Sequence, residues 1–434
     1  MAENGTRLPP KVPGPAVAQT IASLFFADRF DAYIFARYPQ TIRMRILGVG
    51  ELVATRDPVV VKELFTAPPG SVVAGEVNRR VLPILGGDSV MAADGERHLR
   101  MRRLLLPPFH GDAIRGYESM IDEIVATEID RWPRGETFAL HPRMQAIALE
   151  VILSVVIEVS DAARRERLRA VLPKVLQANP IAFLLEDRAR RLTSGPIGRL
   201  RPWIRARREA ERLLHEELAE RRADPGGRED ILAMLLATRD ENGEGLGDAE
   251  LEDQLLTLLL AGHETTATSL AWCFERLVRN PAALDRLRGE LADGRDEYLD
   301  AVIKETMRMR PVVEAVWRVA KEPLELGGYL IPAGTIVAPV LRAVGAESFD
   351  DPEEFRPERF LDGEVPAYSQ IPFGGGPRRC VGAAFATMEM KVVLRTVLSR
   401  LELRAPDPAP EKVDRMRRFT ASPARGARVV AQPM

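Results

Sequence analysis

Cysteine is almost missing from this chain: Cys273 and Cys380 are the two in 434 residues. So few exclude a disulfide framework and fit a reducing compartment. Long apolar runs are missing too. The N-terminal stretch Ile21 to Phe26 is short and lies beside Asp28, Arg29 and Asp31, whereas spanning a bilayer takes about 20 apolar residues. The first seven residues, Met1 to Arg7, lack the basic-then-apolar order of a secretory signal. These absences predict a soluble, cytoplasmic protein. Charge of one sign is also lacking: the net value is -2, which gives nucleic acid no general attraction. No linker, internal repeat or low-complexity tract divides the chain, and the proline-rich stretches Leu8 to Pro15 and Pro406 to Pro410 lie near its ends. One domain over residues 1–434 is expected, although at roughly 150 residues per domain the length admits more.

What is present is helix-forming pattern and a 46% hydrophobic content that can fill a large core. Apolar residues recur at i, i+3, i+4 over 95–106, 113–132, 142–159, 202–222, 249–279, 281–293, 296–309 and 383–400. Pro142, Pro202, Pro281 and the pair Asp248 and Glu250 mark helix starts. Alternation over 41–66 with turns at Gly48 and Gly50 predicts a hairpin and then a short helix, Pro58 to Phe65. A second β region falls at 323–340, around Gly327-Gly328. The expected class is mostly α (α+β), a large helical region with a small β-rich one.

The most informative segment is Phe373-Gly-Gly-Gly-Pro-Arg-Arg-Cys380-Val-Gly382. Three glycines let the backbone approach a flat object closely, and Pro377 stiffens the loop. Arg378 and Arg379 place positive charge near the sulfur, favouring thiolate. The helix beginning at Ala383 puts Cys380 just ahead of a helix N-terminus, where amides stabilise an anion. Such a thiolate suits a nucleophile or an axial ligand of haem iron. A second segment, Ala261-Gly-His-Glu-Thr-Thr266, interrupts the long helix 251–278 with poor helix formers; Thr265 can bond back to a carbonyl one turn earlier and open the ladder. Small Ala261 and Gly262 leave room for a small molecule, and Glu264 beside Thr265 can relay protons. His263 has no second ligand at suitable spacing.

The spacing Phe-x-x-Gly-x-Arg-x-Cys-x-Gly through Phe373, Gly376, Arg378, Cys380 and Gly382 resembles the haem-binding loop of the cytochrome P450 superfamily. Further stretches resemble that family, over about residues 10 to 430. Residues 261–265 look like its central-helix motif, small-Gly-x-acid-Thr, which implies Glu264 as the proton-relay acid, Thr265 as its hydroxyl partner and Ala261 against the haem. Glu305-Thr-Met-Arg308 with Pro357-Glu-Arg359-Phe resembles its Glu-x-x-Arg triad, implying a buried Glu305–Arg308–Arg359 network that fixes the loop carrying Cys380. The same resemblance implies that His98, Arg102, Arg318 and Arg378 clamp the two haem propionates, that Phe373 lies in the haem site, and that the cofactor is haem b.

The resemblance implies a haem-thiolate monooxygenase that hydroxylates a lipophilic molecule. The rivals are a peroxide-driven peroxygenase or isomerase, and a non-catalytic haem carrier. The family's pocket walls map onto 81–85, 258–261 and 312–316, giving Leu82, Leu85, Leu258, Val313 and Glu314, with Phe183 to Leu185 at the entrance. Fatty acid, terpene and steroid stay open as substrates, with overall similarity leaning to fatty-acid-like and terpenoid compounds. No flavin- or iron–sulfur-binding motif is present, so electrons are expected from a separate ferredoxin and its reductase, docking near Arg100, Arg102 and Arg103 on a monomer. Residues 161–222 hold 16 Lys/Arg against 9 Asp/Glu, either a solvated helical face with i, i+4 pairs or a surface for anionic lipid.

Overall fold

The computed structural model describes residues 7–82, 85–176, 201–224, 226–361, 365–414 and 420–434. The N-terminal helices α1 (Ala16–Phe25) and α2 (Ala27–Phe35), neither evident in the sequence pattern, lie beside a five-stranded sheet. Strands β1 (Thr41–Ile46) and β2 (Gly50–Thr55) form the expected hairpin, register Thr41 opposite Thr55, with positive φ at Gly48 and Gly50. β3 (Val72–Val73), β4 (Arg318–Ala320) and β5 (Ile336–Pro339) complete the sheet in the order β1-β2-β5-β4-β3, with only β2 and β5 parallel. The second β region also forms as expected. Leu324–Leu326 pairs with Tyr329–Ile331 across Gly327 and Gly328. Both have positive φ, as a tight two-residue hairpin turn of this hand requires.

Helices make up most of the rest. α3 (Pro58–Phe65) starts where Asp57 accepts the Val59 N–H at 2.8 Å with Pro58 in the first turn. The site is built from α4 (Gly95–Leu105), α5 (His141–Ile157), α6 (Asp248–Val278), α7 (Glu297–Met309) and α8 (Ala383–Arg400), each within two residues of its expected bounds. α6 runs unbroken, so the expected interruption at 261–266 does not occur. Thr265 Oγ1 does donate back to Ala261 O at 2.6 Å, but the tertiary packing of α6 holds the helix together around it. The expected helix 113–132 is two, Asp112–Arg115 and Glu118–Ile129, parted at Gly116-Tyr117. Leu251, Leu255, Leu259, Ala267, Leu270 and Phe274 of α6 are all at most 1% exposed and belong to the main apolar core. No helix among the described residues is long and apolar enough to cross a membrane.

Many of the arginines in the basic stretch are already partnered. Arg164 reaches Glu217 at 2.6 Å, Arg207 reaches Glu211 at 2.7 Å, and Arg221 is buried between Glu217 and Asp230. Arg164 and Arg221 are buried, so they belong to no solvated face, whereas Arg207 and Glu211 form an i, i+4 pair nearer the surface. Its apolar tip, Ile181 to Leu185, lies outside the described residues.

Candidate functional site

The loop ahead of α8 is held shut by Cys380 N–H donating to Phe373 O at 2.9 Å, with Gly376–Arg378 forming one 3-10 turn started by Pro377. Its glycines are required for a reason the sequence does not disclose. A Cβ on Gly375 would stand 2.3 Å from Phe65 Cδ2, and one on Gly376 would stand 2.5 Å from Phe65 O. Phe65, the last residue of α3, therefore crowds the loop from behind. A Cβ at Gly382 would meet nothing within 4 Å.

Cys380 presents an exposed thiol just before α8. Burial on its other sides raises its pKa, against the opposing pull of the Gly382 N–H, Arg102 and Arg379. The expectation that the neighbouring arginines favour thiolate is thus outweighed by desolvation, and one of the two arginines is elsewhere. Arg378 turns away from the sulfur to Val90 O (3.1 Å), Ala93 O and Asp94 Oδ1 (2.6 Å). Arg102 takes its place, donating to Arg379 O at 2.6 Å.

Arg378 instead joins the group that the resemblance implies for the propionates. His98 is 4% exposed on α4, and its pKa falls to about 3 through burial and then Arg378, Arg102 and Arg318. Arg318 on β4 lies over the Phe65 ring at 5.4 Å. Burial, then Arg378, lowers its pKa to about 10. Arg378 is lowered to about 10 as well, by burial, with Asp94 opposing. All three guanidiniums stay charged at neutral pH. Asp94 is the carboxylate paired with Arg378, and it also accepts the N–H groups of Ala74, Gly75 and Glu76. Three cations and a neutral imidazole beside one carboxylate leave an excess positive charge that a dianionic ligand satisfies.

The middle of α6 is uncovered on one side. Ala261 is exposed and Thr265 half-exposed, within a helix whose neighbouring residues 254–260 are all buried. Gly262 serves a different purpose from the one expected: a Cβ there would lie 2.8 Å from Ile152 Cδ1 of α5, so this glycine lets two helices pack closely. Glu264 is 3% exposed, and its carboxylate points into protein. It accepts from Gln145 Nε2 at 2.7 Å and Thr420 Oγ1 at 3.2 Å, with His141 Nε2 4.0 Å away. Thr268 Oγ1 joins His141 Nε2 and Thr420 Oγ1, each at 3.1 Å. Glu264 and Thr265 thus lie on two faces, as successive helical residues do. His263 is buried, and no cluster of three or more metal-ligating side chains occurs among the described residues.

The charged triad forms as expected. Arg308 donates to Glu305 at 2.6 and 2.9 Å, Arg359 Nε donates to Glu305 Oε1 at 3.0 Å, and Glu305 is fully buried. Both arginines reach on to carbonyls of residues 350–354, and Arg356 N–H also donates to Glu305. What they grip directly is segment 350–359. Of the expected pocket residues, Leu85 and Leu258 lie in the main core and Leu82 packs against it. Val313 is 39% exposed, and Glu314 offers its carbonyl to Leu341 N–H; neither joins that cluster. Pro83 and Ile84 lie outside the described residues, as do Phe183 to Leu185.

Sequence reasoning missed Phe65, Asp94, Gln145, His141 and Thr420. Each acts across a separation of tens to hundreds of residues, which no local pattern reports. The basic surface expected for a redox partner is largely partnered: Arg100 is bound to Asp240 at 2.6 Å, Arg103 lies 3.7 Å from Glu241, and Arg102 is tied to Arg379 O at 2.6 Å.

Helices gathered around a cysteine loop and a cation cluster define a haem-thiolate protein. The cytochrome P450 family profile matches residues 28–427, and the chain belongs to that family. Cytochrome P450 135B1 of Mycobacterium tuberculosis is 41% identical over 96% of this chain and 90% of its own. Cytochrome P450 137 of the same species is 37% identical, over 98% and 91%. Both are named for the family and not for a reaction. Among solved structures, retinoic acid-bound cyanobacterial CYP120A1 has TM-score 0.86 at 24% identity, over 99% of this chain and 100% of that one. The cytochrome P450DA haem domain has TM-score 0.82 at 23%, over 99% of each. The family is one of haem-binding monooxygenases, and the residues gathered here fit that group: an exposed sulfur, an uncovered stretch of α6 and a cation excess.

Proposed function

We propose that this chain is a one-domain haem-thiolate monooxygenase, in which Cys380 ligates the iron and a lipophilic molecule is hydroxylated. The observation that carries this reading is the convergence of Arg102, Arg318 and Arg378 on His98, with Arg102 bonded to the Arg379 carbonyl next to Cys380. Those four would hold the propionates, with Phe373 and Ala261 against the macrocycle. When bound, haem supplies the oxygen activation that protein side chains lack.

The chain's own residues do the rest. Cys380 gives up its proton on ligation, and the Gly382 N–H tunes the sulfur's basicity. Thr265 holds a hydroxyl on the open side of α6. Glu264, held in the buried set with Gln145, Thr420 and His141, is the relay acid that the family motif implies, and it reaches Thr265 by side-chain rotation or through water. Glu305, Arg308 and Arg359 position the segment leading to the cysteine loop. Leu82, Leu85, Leu258 and Val313 supply apolar wall and Glu314 one polar group, which suits a fatty-acid-like, terpenoid or steroidal molecule. Electrons come from a separate ferredoxin and its reductase. A depression of about 280 Å³ bordered by Lys304, Gln370, Phe373, Arg379 and Thr387 adjoins the loop; it fits the partner better than the carboxylate-paired Arg100 and Arg103. The chain works as a cytoplasmic monomer.

The test has two arms. A screen of the three substrate classes identifies compounds that shift the Soret band of the ferric protein. Those compounds are then turned over with NADPH, ferredoxin and reductase, or with peroxide alone. Oxygen-dependent product in the first arm is expected. Product with peroxide only would make the chain a peroxygenase, and shifts without product would make it a carrier.

A further inference from the structure

Helix α1 is built inside out. Its polar residues Gln19 and Thr20 are 3% and 7% exposed. Gln19 Nε2 donates to Val12 O at 3.0 Å and Gly14 O at 2.9 Å, while its Oε1 accepts Arg45 N–H at 2.8 Å. Thr20 Oγ1 accepts Leu47 N–H at 2.9 Å. Polar side chains thus fasten the helix to β1 and its turn. Val17, Ile21 and Phe25, four residues apart on another face, stand 52%, 47% and 54% exposed. Phe26, the residue between α1 and α2, is 55% exposed, and Leu47, bonded to Thr20, is 47% exposed.

Single exposed apolar side chains are ordinary, whereas a contiguous group marks an interaction surface. Seven of the twelve large apolar side chains exposed among the described residues fall within 8–47. The charge balance of that stretch selects the partner. α1 carries no charge, and residues 8–47 hold five basic side chains (Lys11, Arg29, Arg37, Arg43 and Arg45) against Asp28 and Asp31, in a chain whose net charge is -2. Asp28 is held by Arg342 at 3.1 Å and Arg43 by Glu51 at 3.0 Å. Arg45 is largely exposed although it lies 3.9 Å from Glu51, and Arg37 rests on the Tyr33 ring at 4.0 Å.

We propose that α1, with Phe26 and Leu47, is a peripheral docking surface for an anionic lipid bilayer. The apolar stripe enters the acyl boundary while Lys11, Arg29, Arg37 and Arg45 meet headgroup phosphates. A second copy of the chain is the poorer occupant. A ten-residue helix is about 15 Å long, and one face of it falls well short of the roughly 800 Å² each partner of a stable dimer buries. The basic stretch 161–222 is the poorer lipid surface, because many of its arginines are committed to carboxylates. The inference is independent of the proposed reaction.

The experiment is co-sedimentation of the haem-loaded chain with phosphatidylcholine vesicles, with and without phosphatidylglycerol. The wild type should pellet with the anionic vesicles and be released by salt. Ile21→Glu with Phe25→Glu should lower that partition at least about tenfold, with melting temperature unchanged because both sites are exposed. Arg29→Gln with Arg37→Gln should erase the preference for anionic vesicles. Equal pelleting of wild type and the glutamate variant overturns the proposal, as does no pelleting of the wild type. A concentration-dependent dimer that the glutamate variant abolishes, without lipid binding, would reassign the stripe to a contact between copies.

Discussion

Glu264 and Thr265 carry the proposed proton path, and the helix sends them to different places. Thr265 keeps its hydroxyl on the uncovered side of α6, where Ala261 O holds it. Replacing it with alanine removes one hydroxyl and leaves haem and substrate binding intact. Thr265→Ala is expected to divert reductant to hydrogen peroxide, while Thr265→Ser retains coupling. The check is product and peroxide formed per NADPH; unchanged coupling in the alanine variant would remove Thr265 from the path. Glu389 on α8 offers a pH test away from the chemistry. It is 2% exposed, its Oε1 has no hydrogen-bond partner among the described residues, and burial pushes its pKa up to about 8. An acid raised in the folded state costs no stability below its unfolded value near 4.5, and stability is lost as pH rises from there toward 8. Glu389→Gln should therefore flatten that decline, leaving denaturation at pH 4.5 nearly unchanged and gaining about 4 kcal/mol at pH 8. An unaltered slope would mean the carboxyl finds a partner. At this scale Cys380 and the Glu305 triad were legible, because spacing along the chain reports them. The destination of Arg378 was not, since Asp94 lies 284 residues away.

Elements were legible where period and caps agree, as in α3, α6 and the Gly327-Gly328 hairpin. α1 escaped because its polar side faces protein, so its pattern does not read as that of a surface helix. Gly262 shows the same limit within a recognised element: it looks like space for a ligand and proves to be the seat of a helix crossing. Gly262→Ala should cost about 1–3 kcal/mol through overpacking on Ile152 Cδ1. Ile152→Val removes that methyl and should restore most of the loss in the double variant. Additive losses in urea denaturation would show that the two helices do not meet there. The triad joins α7 to segment 350–359. Arg308→Leu leaves the buried Glu305 short of its main counter-charge and should cost about 3–5 kcal/mol, with poorer haem retention. Normal haem content and stability would deny it a structural role.

For the whole molecule, the family profile spans residues 28–427, so the architecture that the loop motif implied extends through nearly the full chain. The cation cluster draws on α4, β4 and the cysteine loop, three places brought together only by that architecture. The central claim is that Cys380, and not Cys273, holds haem iron as a thiolate. Cys273 is fully buried in α6 with its pKa pushed up to about 12 by burial, which keeps it a thiol. The most direct measurement is the carbon monoxide difference spectrum of the dithionite-reduced protein. Wild type and Cys273→Ser should both show the red-shifted Soret band of thiolate-ligated haem, and Cys380→Ser should lack it. The same band in Cys380→Ser, or its loss in Cys273→Ser, would contradict the assignment.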